Sequence, residues 1–278
     1  MSYHIKAVTV NQDTSHFVEL MLRTLFHTND LSGIDLEIVV LDNGSNDEHR
    51  GQLEAYLADQ GIPLIQTGFD NSVAPQKHGV ALTNFVLEND GCTHYLFLDS
   101  DMWFVEEDTI PTMLAELVES PPDVFGCQAQ IFGFYAHRII ERLGYEFDSR
   151  WHGEVESTFE DARFTLMLAN RCSPVCSLIA NTPVFRRVVD VIGLGRAASF
   201  GVGGGAYYDT FGLMTHVMAT HDLSFIVSSK RVNHFTETTY VPERRAPKDR
   251  DCLKLLRELR AGRGMTLDLF WDSDWDRQ

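Results

Sequence analysis

Four short apolar runs, separated by helix-patterned stretches and each closed by a polar turn bearing Asp or Asn, fill the first hundred residues of this chain. The runs are residues 5–10, 36–41, 63–66 and 95–98. Between the first two, Phe17, Leu20, Met21, Thr24 and Leu25 recur at helical spacing behind Ser15, a residue suited to an N-cap. Further helices are expected from about residue 48 to 60 and from about residue 75 to 89. Strands alternating with helices of that length need crossover connections, so the pattern predicts an α/β fold with a mostly parallel, Rossmann-like sheet flanked by helices. The turns Asn11-Gln12-Asp13, Asp42-Asn43-Gly44-Ser45-Asn46-Asp47, Thr67-Gly68-Phe69-Asp70 and Asp99-Ser100-Asp101 then gather at one sheet edge. Open α/β sheets bind ligands at that edge.

Asp99-Ser100-Asp101 carries the most chemistry. Two carboxylates follow the strand Tyr95-Leu96-Phe97-Leu98, and no Lys or Arg lies within several residues after them. Such a pair suits a hard divalent cation such as Mg²⁺ or Mn²⁺, which takes oxygen ligands from one or two carboxylates and from substrate phosphates. Spacing alone leaves a simpler reading open, in which the two Asp side chains only cap a turn.

Three segments together, Val8-Thr9-Val10-Asn11, Val39-Val40-Leu41-Asp42-Asn43-Gly44-Ser45-Asn46-Asp47 and Leu96-Phe97-Leu98-Asp99-Ser100-Asp101, resemble the GT-A glycosyltransferases of the family-2-like group. The resemblance covers residues 5–105 well and the remainder thinly. It implies a GT-A fold with a smaller acceptor-side subregion. Residues 1–105 would form the nucleotide-sugar-binding half, 106–240 the acceptor-binding half of the same domain, and 241–278 a C-terminal helix and tail. It also implies that Thr9 or Asn11 and Asp42 hold the nucleoside, and that Asp101 binds the metal that bridges the donor's diphosphate. Asp99 would serve donor and metal together. The segment from Asp70 to Gly79 aligns loosely with the group's Asn-x-Gly-x-x-x-x-x-Asn stretch but lacks its usual glycines. Lys77, within it, and Arg231 are cations that could meet the diphosphate, or equally be solvated surface groups.

The second half reads less clearly. Residues 102–123 suggest a turn, a helix containing Pro111 and a turn at Pro121-Pro122; residues 124–132 suggest a strand and 136–143 a helix. Trp151-His152-Gly153-Glu154-Val155-Glu156 reads as a loop, either acceptor-binding or merely superficial. A strand at 176–182 and a helix at 183–192 follow. Gly201-Val202-Gly203-Gly204-Gly205 precedes Asp209, which opens a helical run over 210–220. No Gly-Lys-Ser/Thr follows these glycines, so they are not a phosphate-binding Walker loop. The resemblance makes Asp209 the general base of an inverting reaction, whereas the residue pattern alone allows an N-cap. It also makes His234, after a late strand, a further metal ligand, although an isolated His is more often structural. His216 and His221 read as structural. Residues 242–250 read as a charged linker and 248–260 as an amphipathic helix with Cys252, Leu255, Leu256 and Leu259 on one face. Trp271 and Trp275 would dock on the domain or form a homodimer contact.

The formal charge, −17 from 23 basic and 40 acidic residues, argues against a nucleic-acid partner and against charge-driven docking on anionic lipid. It leaves an anionic small substrate open, because a bound metal dominates its local field. No apolar run has the length of a membrane span, and the N-terminus lacks a signal layout, so a cytoplasmic chain is expected. The five cysteines lack paired zinc-site spacing and read as buried thiols. The resemblance, within these limits, implies a metal-dependent enzyme moving a sugar from a nucleotide-diphosphate donor to a soluble small-molecule, sugar or peptide acceptor. A nucleotidyltransferase would need a Gly-rich basic loop after the first strand, where Asn11-Gln12-Asp13-Thr14-Ser15 stands instead. A non-catalytic sugar-nucleotide-binding relative is the other alternative.

Overall fold

The computed structural model describes residues 3–69, 77–133, 154–159, 162–167, 171–201, 204–235 and 242–262. The first half alternates as expected: β1 (Tyr3–Asn11), α1 (Ser15–Thr28), β2 (Ile34–Asp42), α2 (Asp47–Gln60), β3 (Leu64–Gln66), α3 (His78–Glu88) and β4 (His94–Asp99). Then come β5 (Met102–Phe104), α4 (Thr109–Glu119), β6 (Val124–Gly133), β7 (Glu154–Phe159), β8 (Ala162–Met167), β9 (Cys176–Ala180) and α5 (Pro183–Ile192). The chain continues through β10 (Ala197–Gly201), β11 (Gly204–Tyr208), α6 (Gly212–Thr220), β12 (Ser224–His234) and α7 (Pro242–Arg260).

Eight strands form one sheet in the order β3-β2-β1-β4-β9-β6-β12-β5. The pairings β3-β2, β2-β1, β1-β4 and β6-β12 are parallel; β4-β9, β9-β6 and β12-β5 are antiparallel. The central strands are apolar on both faces because helices cover both. Along β4, Leu96 and Leu98 join the core under α1, α2 and α4, while Tyr95 and Phe97 join the core under α3, α5 and α6. That alternation is the two-residue pleat repeat. A second sheet, β10-β11-β8-β7, lies outside this layer.

Local signals account for most boundaries. Asn46 caps α2 by accepting from His49 N, and Gly61 closes that helix in the left-handed region at φ 67°. Thr182 caps α5 by accepting from Phe185 N, with Pro183 at the first turn. Several sequence readings need correction. Ser15 is the first residue of α1, with Thr14 at the N-cap position. Residues 102–104 are an edge strand, not a turn, because their buried Met-Trp-Phe pairs with β12. Glu154 and Glu156 lie on strand β7, not in a loop. The strand beginning at Cys176 ends at Ala180, since Thr182 already caps α5. The charged stretch from 242 to 250 is part of α7 rather than a linker. Its charges meet α1 and the loop before it: His16 Nε2 is 2.7 Å from Asp249 Oδ1, and Arg245 donates to the Asp13 carbonyl. Farther along α7, Cys252, Leu255 and Leu256 pack with Phe17, Leu20, Trp103 and Phe235. All five cysteines are buried and free. Among the described residues, no helix is long and apolar enough to cross a membrane. The expected helix over 136–143, and Trp151, Trp271 and Trp275, lie outside the described residues.

Candidate active site

Parallel pairing brings the ends of β1, β2 and β4 to one edge: Asn11 stands opposite Asp42, and Val10 opposite Asp99. At that edge β1 and β2 are tied by a closed polar network. Asn11 Nδ2 donates to Asp42 Oδ1 and to Ser45 Oγ, each at 2.9 Å. Asp42 Oδ2 accepts from Ser45 N, and Asn11 Oδ1 accepts from Thr14 Oγ1 at 2.9 Å. Thr14 Oγ1 also reaches Ser100 Oγ at 3.0 Å, which links the first loop to the Asp99–Asp101 turn. Asn11 and Asp42 are fully buried, so their side chains form the floor of this edge. Thr9, deeper still, has a buried hydroxyl with no hydrogen-bond partner among the described residues.

The β5–β12 pairing delivers a third element. It sets His234 opposite Met102, the residue after Asp101. His234 Nε2 then lies 2.9 Å from Asp101 Oδ1 and 3.7 Å from Asp99 Oδ2. One donor atom from each of Asp99, Asp101 and His234 falls within 4.8 Å of the other two. Burial alone would depress the His234 pKa, but the Asp101 carboxylate, with Asp99 behind it, holds it above the ordinary histidine value. Burial raises the Asp99 pKa; His78 and His234 oppose that, and the Asp101 charge adds to it. Two hard oxygens and one imidazole suit Mg²⁺ or Mn²⁺, with room in their coordination left for substrate oxygens.

His78 opens α3 with its Nε2 3.6 Å from Asp99 Oδ1, so Asp99 has an imidazole beside each oxygen. Lys77, one residue before, places its ammonium 4.9 Å over the Phe69 ring. Arg231 is committed elsewhere, its Nε donating to Glu106 Oε1 at 2.5 Å.

Asp209 sits on a neighbouring wall. It is not the helix cap: α6 starts at Gly212, with Phe211 at the N-cap position. Its carboxylate is clasped instead by Arg171 Nη1 at 2.9 Å on Oδ2 and Arg196 Nε at 2.9 Å on Oδ1. Burial would raise its pKa, but the two guanidinium charges and the Thr210 amide hold it below the usual carboxylate range. This wall is packed onto β4. Phe211 meets Phe97 edge-on at 4.8 Å, and Asp99 N donates to Val175 O at 2.9 Å, just after Arg171. Arg171 pairs with Asp209 directly, and its charge lowers the pKa of Asp209 and, more weakly, of Asp99.

No family model matches the chain, and no curated protein matches it. Solved structures do. A mannosyltransferase from Pyrobaculum calidifontis, in complex with GDP-Man and Mn²⁺, superposes with TM-score 0.54 at 12% identity, covering 92% of this chain and 65% of that one. S. aureus TarS 1-349 in complex with UDP-GlcNAc superposes with TM-score 0.51 at 16% identity, covering 91% of this chain and 66% of that one. The chain has a GT-A fold. It spans about two thirds of the length of these two structures.

Within this GT-A fold, Asp99, Asp101 and His234 converge, and Thr9, Asn11 and Asp42 lie buried beneath the same edge. Asp209 lies on the adjoining wall. His78 and Arg171 were missed. His78 stood in the quoted segment before α3, but nothing there marked which helix end would face Asp99. Arg171 carries no motif; its place follows from β9 running antiparallel to β4, a pairing invisible in the sequence.

Proposed function

We propose that this chain is a glycosyltransferase that uses a nucleotide-diphosphate sugar as donor, depends on Mn²⁺ or Mg²⁺, and transfers the sugar to a soluble acceptor with inversion. The observation that carries the reading is the Asp99–Asp101–His234 cluster at the carboxyl end of β4 in a GT-A sheet. A divalent cation held there supplies Lewis-acid neutralisation of the leaving diphosphate.

In this reading residues 1–105 hold the donor, 106–240 the acceptor, and 241–278 provide the C-terminal helix and tail. The nucleoside lies over the β1 and β2 loops, whose shape rests on the Asn11–Asp42–Ser45 network with Thr9 beneath. Lys77 adds positive charge at the start of α3, where backbone amides also favour an anion. Asp99 and Asp101 accept the cation and orient the donor, with His234 as the third ligand. Asp209 takes the proton from the acceptor hydroxyl as that oxygen attacks the anomeric carbon from the side opposite the diphosphate.

The test is a thermal-shift series with UDP and GDP, with Mn²⁺, with Mg²⁺ and with a chelator. A ligand at a hundred times its dissociation constant stabilises the folded state by about 2.7 kcal/mol. Stabilisation that requires the cation supports the reading. Equal stabilisation under chelator removes the metal role, and no stabilisation by either nucleotide removes the donor role.

A further inference from the structure

We propose that Arg171 changes partners during the reaction: it pairs with Asp209 until the donor binds and then passes to the donor's phosphate oxygens, which leaves Asp209 to act as base. This inference rests on the reading above and adds a residue and an order of events to it.

The placement of Arg171 supports it. Its side chain is about one-fifth exposed and is anchored by a 3.0 Å hydrogen bond from Nη1 to the Thr210 carbonyl. From that anchor the same nitrogen reaches Asp209 Oδ2 at 2.9 Å. The backbone just beyond it is fixed to the end of β4 by the bond from Asp99 N to Val175 O, and to α6 by the bond from Cys172 N to Thr215 Oγ1. The segment that follows Arg171 is thus joined to the strand end that carries Asp99. Arg196 approaches Asp209 from the other side, just ahead of β10, and pairs with the opposite oxygen. Guanidinium groups prefer paired anionic oxygens, which a phosphate offers as well as a carboxylate does.

The exchange answers a problem that the geometry raises. A carboxylate clasped by two arginines is a poor proton acceptor. Transfer of one guanidinium to the diphosphate weakens that clasp as the donor arrives. The acceptor hydroxyl oxygen then bonds to the anomeric carbon while the bond from that carbon to the phosphate oxygen breaks. The electron pair leaves with the diphosphate beside Arg171, and the hydroxyl proton goes to Asp209. Proton removal is thereby coupled to donor occupancy.

The experiment compares UDP and uridine, each with Mn²⁺, on the wild-type chain and on Arg171→Gln, Arg171→Lys, Arg196→Gln and Asp209→Asn, with melting curves to establish folding. Arg171→Gln should weaken UDP about ten- to a hundredfold and leave uridine unchanged. Arg171→Lys keeps the charge but not the fork; it should fall between, and serves if the Gln variant does not fold. Arg196→Gln should move UDP affinity by less than about twofold. Asp209→Asn should tighten UDP severalfold, because Arg171 then has no carboxylate to leave, an effect that a merely structural arginine would not produce. Wild-type UDP affinity in folded Arg171→Gln or Arg171→Lys, or unchanged or weaker binding in Asp209→Asn, overturns the proposal. Failure of the wild-type chain to bind UDP or GDP with Mn²⁺ overturns the donor reading itself, and the exchange with it.

Discussion

His234 and Asp101 are 133 residues apart in the chain, yet the Nε2 of one lies 2.9 Å from the Oδ1 of the other. Two backbone pairings bring this about. β4 runs in register with β1 to end at Asp99, and β12 runs antiparallel to β5 to end beside Met102. The contact is thus a property of the sheet rather than of a flexible loop, and it fixes where a cation can be held.

Asp101→Ala should therefore abolish cation-dependent nucleotide binding. Asp101 is 7% exposed and faces both His234 and the Asp99 turn, so its loss leaves Asp99 as the one carboxylate of the three-residue cluster. Loss of a partner one shell out from a metal typically costs 10–100-fold in affinity, and a direct ligand should cost at least about a hundredfold. Manganese titration followed by paramagnetic resonance reads this directly. Wild-type Mn²⁺ affinity in the variant would remove Asp101 from the ligand set.

Asp42→Ala should destabilise the chain by about 1–3 kcal/mol, because it strips acceptors from the buried Asn11 and Ser45 donors. Nucleotide affinity should fall with it, since the same network shapes the β1 and β2 loops. Asp42→Asn keeps one acceptor oxygen and the side-chain shape, so it should recover part of both losses. Melting curves and calorimetry on the two variants separate the roles. Weak nucleotide binding by Asp42→Asn at wild-type stability would mean that the carboxylate touches the ligand itself.

His94 predicts an acid-side loss of stability. Burial lowers its pKa from 6.5 to about 4, so the folded chain keeps it neutral where the unfolded chain protonates it. The unfolded state then binds more protons, and stability falls as pH drops from about 6.5 to about 4, by about 3 kcal/mol in all; above pH 6.5 this group adds no slope. Urea unfolding at several pH values, on wild type and His94→Gln, isolates the contribution. The pH slope between 6.5 and 4 should be shallower in His94→Gln, and identical slopes would refute it.

The parts that sequence reading recovered are those encoded locally. Apolar runs of β4 length, capped helices such as α2, and the acidic ends of β2 and β4 are each contained within a few residues. What it misread depends on distant partners. Met102-Trp103-Phe104 became a strand only because β12 lies beside it. The stretch from 242 to 250 combined prolines with charge, and its helix is held by His16 and Asp13, more than two hundred residues away. Asp209 was expected to open the helical run over 210–220, yet that helix starts at Gly212 and Asp209 meets Arg171 and Arg196, neither of which any motif marks. Tertiary partners, a neighbouring strand in the first case and charge pairing in the other two, outweighed local propensity.

Gly79→Ala should couple fold to site. A Cβ on Gly79 would collide with Gly195 Cα and lie 2.9 Å from the Leu194 carbonyl oxygen, both of them backbone atoms that cannot rotate away. The α3 helix and the 194–195 turn must then separate, at a cost of about 1–3 kcal/mol. That turn also holds the Asp209 wall, because Leu194 O accepts from Phe211 N at 3.0 Å and Leu194 N donates to Thr83 Oγ1 at 2.8 Å. On the other side of the contact stands His78, adjacent to Gly79 and 3.6 Å from Asp99. The substitution should therefore lower the melting temperature and also weaken Mn²⁺-dependent UDP binding, although Gly79 offers no side chain to any ligand. Gly51→Ala, at an open position in α2, is the matching control: it should leave Mn²⁺-dependent UDP binding unchanged and raise the melting temperature slightly, since Ala is the better helix former. A Gly79→Ala chain with wild-type melting temperature would show that α3 can shift without cost, and the packing argument for the site's rigidity would fail.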